Sequence, residues 1–147
     1  MADVRLLAAP FDPAVEQARF HSAHAGAGGI ASFLGNVRPT GGVEALELSH
    51  YPPLTLPGME SLAEGAVARW GLEGALVIHR TGVMLPGEPI VLVCCAAAHR
   101  REAFAATDFL MDHLKSESWF WKREKVAGQW RWVEPREADY ADKARWD

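Results

Sequence analysis

Along residues 43–51 (VEALELSHY) apolar and polar side chains alternate strictly, the period of a strand with one buried and one wet face. Residues 30–37 (IASFLGNV) alternate more loosely and also read as a strand. Gly41-Gly42 between them marks a tight turn, so the two segments are expected to pair as a hairpin. Residues 75–83 (ALVIHRTGV) form a further strand, followed by the turn signal Leu85-Pro86-Gly87-Glu88. Residues 90–97 are apolar and β-branched enough for the centre of a sheet. Residues 121–125 and 129–134 flank Val126-Ala127-Gly128 and predict a final hairpin.

Helical spacing separates these strands. Asp12 is placed to cap a helix with Pro13 at its first position, running to about Ala25 before the glycine-rich residues 26–29. Pro52, Pro53 and Pro57 predict a loop, with a helix over 59–70 stopped by Gly71. Residues 100–116 put Phe104, Thr107, Leu110, Met111 and Leu114 on one helical face. The expected fold is one α+β domain over residues 1–147: a mostly antiparallel sheet with about three helices packed on it.

Composition changes that picture little. Hydrophobic residues make up 49% and charged residues 23%, ordinary for a globular domain large enough to need neither metal nor disulfide. The longest apolar run, residues 89–98, is about half a membrane span, and the N-terminus lacks a secretory pattern, so a cytoplasmic protein is expected. Cys94 and Cys95 are adjacent in a strand and therefore face opposite ways; they read as small buried hydrophobes.

Charge changes it more. All the lysines (Lys115, Lys122, Lys125, Lys143) and every tryptophan except Trp70 lie beyond residue 114, in a chain of net charge −4. Such clustering suggests an anionic ligand. An apolar strand also runs through Ala96-Ala97-Ala98 into a helix whose first turn carries His99, Arg100 and Arg101. Cations there oppose the helix dipole, so they either serve an anion at the helix N-terminus or pair with acids such as Glu102. Both readings stay open. Lys122, between Trp121 and Arg123, shares a strand face with Phe120 rather than with those neighbours. A lysine amid aromatics and other cations loses some basicity and can become a base or nucleophile; the simpler alternative is a stem covering a tryptophan. Phosphate loops, zinc-ligand spacings and hydrolase elbows are absent. Ten acids accompany the ten bases after His99, which argues against a nucleic-acid groove.

Eight short motifs occur in order: GxVR (Gly35–Arg38), ELxHY (47–51), IHRxG (78–82), PGE (86–88), AHR…AF (98–104), MDxLK (111–115), FWKRE (120–124) and WVEPRE (132–137). In this order, with Lys115 and Lys122 seven residues apart, the chain resembles the large, catalytic subunit of molybdopterin synthase from residue 30 to near its C-terminus. The resemblance implies an α/β hammerhead-like fold. It also implies an enzyme that installs two dithiolene sulfurs in cyclic pyranopterin monophosphate (precursor Z), within molybdenum cofactor biosynthesis. The sulfur would arrive as a thiocarboxylate on the C-terminal Gly-Gly of a small ubiquitin-like partner. A homodimer of large subunits would carry one small subunit at each end, a heterotetramer using no metal or cofactor.

By the same resemblance, Lys115 and Lys122 are the catalytic groups. Asn36, Val37, Arg38, His99, Arg100, Arg123, Glu124 and Arg136 are the substrate-binding ones, Arg136 reaching the site across the dimer. The chain departs from the pattern at Trp119, where many relatives carry proline, and at Pro52-Pro53 and Pro57, which disturb the start of the second helix. A docking module for a ubiquitin-like protein, without chemistry, is the alternative.

Overall fold

The computed structural model describes residues 2–117 and 119–147. Strands β1 (Ala2–Leu7), β2 (Gly29–Asn36), β4 (Gly74–Arg80) and β6 (Pro89–Ala97) form one four-stranded sheet in the order β1-β4-β6-β2. Strands β3 (Val43–His50), β5 (Gly82–Met84), β7 (Phe120–Val126) and β8 (Gln129–Val133) form a second, ordered β5-β3-β7-β8. Every strand pairing is antiparallel except β1 with β4. Helices α2 (Pro52–Trp70) and α3 (Arg100–Ser116) cover one face of the first sheet, and α1 (Pro13–Ala23) lies on the other. A short α4 (Glu137–Ala144) follows β8 and packs on α3.

The α+β expectation holds, with one helix more than expected. β6 is the apolar centre its sequence predicts. Cys95 faces the α2/α3 core while Cys94 faces α1, as strand alternation demands. Asp12 caps α1, its carboxylate accepting from the amides of Ala14 and Val15 at 3.0 and 3.3 Å. The final hairpin closes through Ala127 and Gly128, both at positive φ (51° and 77°), which matches the twist of the paired strands.

Four expectations need correction. β2 and β3 do not pair: β2 joins β6, and β3 lies between β5 and β7 in the other sheet. The Gly41-Gly42 segment redirects the chain between sheets instead of folding it back. Likewise residues 75–83 are not one strand. Thr81 leaves the ladder to donate its amide to Leu7, and β5 then belongs to the second sheet. The prolines do not make a loop either: Pro52 and Pro53 occupy the first turn of α2, where amide hydrogens have no helical partner to lose, and Pro57 lies within the same helix. Lastly, Phe104 is not on the buried face of α3. It is 65% exposed, and Ala103, Ala106, Thr107, Leu110 and Leu114 form the buried stripe.

Trp119 makes the joint between α3 and β7. Its carbonyl accepts the hydroxyl of the fully buried Thr55 at 2.7 Å, and its indole lies on Gly58 of α2. A methyl group at Gly58 would meet that ring at 2.5 Å. Gly58→Ala is therefore expected to cost about 1–3 kcal/mol through overpacking and to alter the near-UV circular dichroism of the tryptophans. An unchanged denaturation midpoint would contradict this packing.

Candidate active site

Lys115 stands in the last turn of α3, where the helix dipole favours a cation. Its pKa is nonetheless lowered from the usual lysine value. The largest cause is desolvation by surrounding protein. Lys122 follows; Asp139 acts in the opposite direction, and Arg136 and Arg38 lower the pKa further. The side chain retains solvent access, so crowding rather than full enclosure shifts it, and water screens part of the effect. Three further cations thus act on Lys115, with Asp139 opposing them. No acid lies within salt-bridge distance of Lys115, Lys122 or Arg38 among the described residues. Repulsion that Asp139 only partly offsets marks this cluster as a candidate site for an anion.

Strand register brings each of these groups in. Lys122 pairs with Leu48 on one side and Val133 on the other, sharing its face of β7 with Phe120. The Phe120 ring stacks on His79 of β4, 4.1 Å between centroids and 19° between planes, which joins the two sheets beneath the lysines. Arg38 follows β2 and is aimed by Val37. The Val37 amide donates to Glu88 at 3.0 Å, its carbonyl accepts from Gly87 at 2.8 Å, and its side chain is buried. Glu88 in turn pairs with the buried Arg80 at 3.0 Å, so the IHRxG and PGE motifs form the clasp behind Arg38. Arg136 caps α4 and pairs with Asp139 at 3.0 Å; that carboxylate also accepts the Arg136 amide at 3.1 Å.

Not every sequence candidate arrives there. Val37 offers no side chain to a ligand, while Asn36 beside it is exposed. Arg123 lies on the far face of β7, ion-paired with Glu47 and stacked 4.6 Å over Trp130. Glu124 shares the Lys122 face, opposite Leu46 and Arg131. His99 and Arg100 begin α3, so within one chain they lie about 22 Å from Lys115, fifteen residues at 1.5 Å each. Arg100 and Arg101 have no ion pair among the described residues, and Glu102 holds a buried oxygen without a partner. Pairing with acids does not account for those arginines.

Two groups at the site escaped the sequence reading. Asp139 sits on α4, a helix that no periodicity announced. His79 reads as one of several scattered histidines, although its place inside an apolar strand is the available signal. Burial drives its pKa down from 6.5 to about 4, with the Lys115 charge adding to the shift and the bond to the Arg80 carbonyl opposing it. The unfolded chain thus takes up a proton near pH 6.5 that the folded chain refuses until about pH 4. Stability should fall as pH drops through that window, by about 3 kcal/mol in full. Urea midpoints at pH 7 and 4.5 test this: His79→Phe should flatten the difference, and an unaltered slope would assign it elsewhere.

Comparison with known proteins adds identity to this geometry. The family model described as MoaE protein matches residues 6–117, which include Arg38, His99, Arg100 and Lys115. The chain belongs to the MoaE family. The molybdopterin synthase catalytic subunit of Cereibacter sphaeroides is 50% identical over 144 residues, 97% of this chain and 99% of that protein. Its counterpart in Caulobacter vibrioides is 46% identical over 98% of this chain and 97% of its own length. A solved structure, the molybdopterin biosynthesis MoaE protein from Burkholderia ambifaria, superposes with a TM-score of 0.84 at 40% identity, covering 99% of this chain and 98% of that one. These MoaE relatives extend past residue 117 over the segment that carries Lys122 and Arg136.

Proposed function

We propose that this chain is the catalytic subunit of a molybdopterin synthase. It would convert precursor Z to molybdopterin with sulfur from the C-terminal thiocarboxylate of a small ubiquitin-like partner. The observation that carries the reading is Lys115 standing within electrostatic reach of Lys122, Arg136 and Arg38, with Asp139 opposing them. The substrate brings a cyclic phosphate and the donor brings a thiocarboxylate, so the site must hold two anions together. Lys122 is suited to the developing oxyanion and Arg38 to the phosphate. Lys115, its basicity reduced, can shed its proton to act as base or as transient acyl acceptor.

His99 and Arg100 complete this site from a second copy of the chain. β2 is an edge strand with Phe33 and Leu34 exposed, and the exposed Phe104 lies on the neighbouring α3. β2 and α3 begin side by side at Gly29 and Arg100, and both run toward the Arg38–Lys115 end. A two-fold pairing of β2 with its copy reverses that direction. It sets the second copy's His99 and Arg100 beside Lys115 of the first, the isologous arrangement of a symmetric dimer. Arg136, by contrast, reaches Lys115 within its own chain. A cytoplasmic setting belongs to the same proposal, and the free, buried thiols of Cys94 and Cys95 suit a reducing compartment.

The deciding experiment combines the purified chain, thiocarboxylated partner and precursor Z, and measures molybdopterin formed. Tight partner binding with no product in a single turnover would replace this reading by that of a docking module.

A further inference from the structure

The C-terminal residues do something the proposed chemistry does not itself require. α4 is eight residues long and has no buried residue, too short and too wet to hold a position alone. Yet its cap, Arg136, and its Asp139, paired with each other, both act electrostatically on Lys115. Its anchorage lies beyond its last turn. Trp146 sits edge-on to Trp70 of α2 and Phe109 of α3, 5.6 Å from each ring and nearly perpendicular to both. Its indole N–H donates to Asp112 at 2.6 Å, and its carbonyl accepts from Arg69 at 3.3 Å. Arg145 reaches Asp108 and Asp112 at 2.7 Å each, and Lys143 reaches Glu117 at 2.8 Å. The Arg69 guanidinium lies 4.8 to 5.6 Å from the centroids of all three aromatic rings. These contacts fall on α2, on Asp108, Phe109 and Asp112 of α3, and on Glu117 just past its end.

We infer that Trp146, with Lys143 and Arg145, is a positioning anchor that clamps α4 onto α3 and so holds Arg136 and Asp139 beside Lys115. The part of this inference that concerns turnover rests on the function proposed above; the clamp itself does not. Anchoring has a chemical purpose. Arg136 and Asp139 push the Lys115 charge in opposite directions, so their combined effect depends on where α4 sits. Trp146 makes no contact with Lys115, Lys122 or Arg136, so its effect on catalysis passes through what it positions, and the cycle below tests whether that is Arg136.

Hydrogen exchange of the full chain tests the clamp directly. Trp146→Ala should accelerate amide exchange at least about tenfold over residues 137–147 and leave β4, β6 and α3 protected. Trp146→Phe, which keeps a ring in the cage, should exchange like the parent. Unchanged exchange over 137–147 in Trp146→Ala would overturn the inference, and so would loss of protection throughout the chain. A double-mutant cycle then reads the catalytic consequence. Trp146→Ala should raise KM for the pterin substrate about as much as Arg136→Ala does, and the double variant should be no worse than Arg136→Ala alone. Additive effects would show that Trp146 does not act through Arg136. If the parent chain makes no product at all, the functional proposal falls, while the exchange result still decides whether the clamp exists.

Discussion

Lys115→Ala is expected to lose at least about 100-fold in turnover, the usual scale for removing a positioned acid, base or nucleophile. Its melting temperature should remain within a few degrees of the parent's. Both halves follow from position. The side chain is solvent-accessible and unpaired at a helix end, so little packing is lost with it. Removing one of four mutually repelling cations also relieves strain that the ligand would otherwise offset. Lys115→Arg sharpens the test. A guanidinium keeps the charge and the reach but does not give up its proton near neutral pH. If Lys115 only holds an anion, the arginine variant should work well; if it must become neutral, that variant should be almost as slow as alanine. Parent-like turnover in both variants would remove Lys115 from the chemistry.

The second large effect is recovery rather than loss. Lys115→Ala and Arg100→Ala should each be nearly inactive as pure dimers, yet mixing them with subunit exchange should restore about a quarter of parental activity. Random pairing makes half the dimers mixed, and each mixed dimer contains one site with both residues intact. About 22 Å separates Arg100 from Lys115 along α3 in one chain, too far for the two to meet in one site without a second copy. Should a mixture of the two variants stay inactive after exchange is verified, the site cannot be shared as proposed. Mixing Lys115→Ala with Arg136→Ala gives the contrast. Those two residues act within one chain, so each site of a mixed dimer lacks one of them and no activity should return. Mixing Arg100→Ala with Arg136→Ala leaves each site of a mixed dimer either whole or lacking both groups by the same rule. A converse test pairs the Lys115→Ala/Arg100→Ala double variant with parent, in which every mixed dimer has two half-sites and should be inactive.

Where local chemistry decides an element, the sequence reveals it. The Asp12-Pro13 start of α1, the span of α3, the apolar β6 and the Ala127-Gly128 hairpin turn all depend on neighbours within a few residues. Which strand joins which sheet depends on contacts far along the chain. For that reason the β2–β3 hairpin failed, and residues 75–83 were divided between two sheets. α4 is invisible to periodicity because it buries none of its residues. Among the proposed site residues, Lys115, Lys122 and Arg38 came from the family resemblance; the company of the lysines by itself favours a stem lying over a tryptophan. The opposite faces of Lys122 and Arg123 follow from strand alternation alone, although the family resemblance grouped the two together. Asp139 and His79 needed the packing.

The crossover from α3 to β7 also constrains how this protein can vary. Lys115 and Lys122 are joined by a length of chain fixed at one end by a helix and at the other by the pairing of β7 with β3. Trp119 is pinned between them by Thr55 and Gly58. One inserted residue carried into β7 would turn Lys122 to the tryptophan-covered face and bring Arg123 or Trp121 inward. Two would restore its side but slide it about 7 Å along the strand. The distance between the two lysines in sequence is thus a measured part of the site, as hard to change as the lysines themselves.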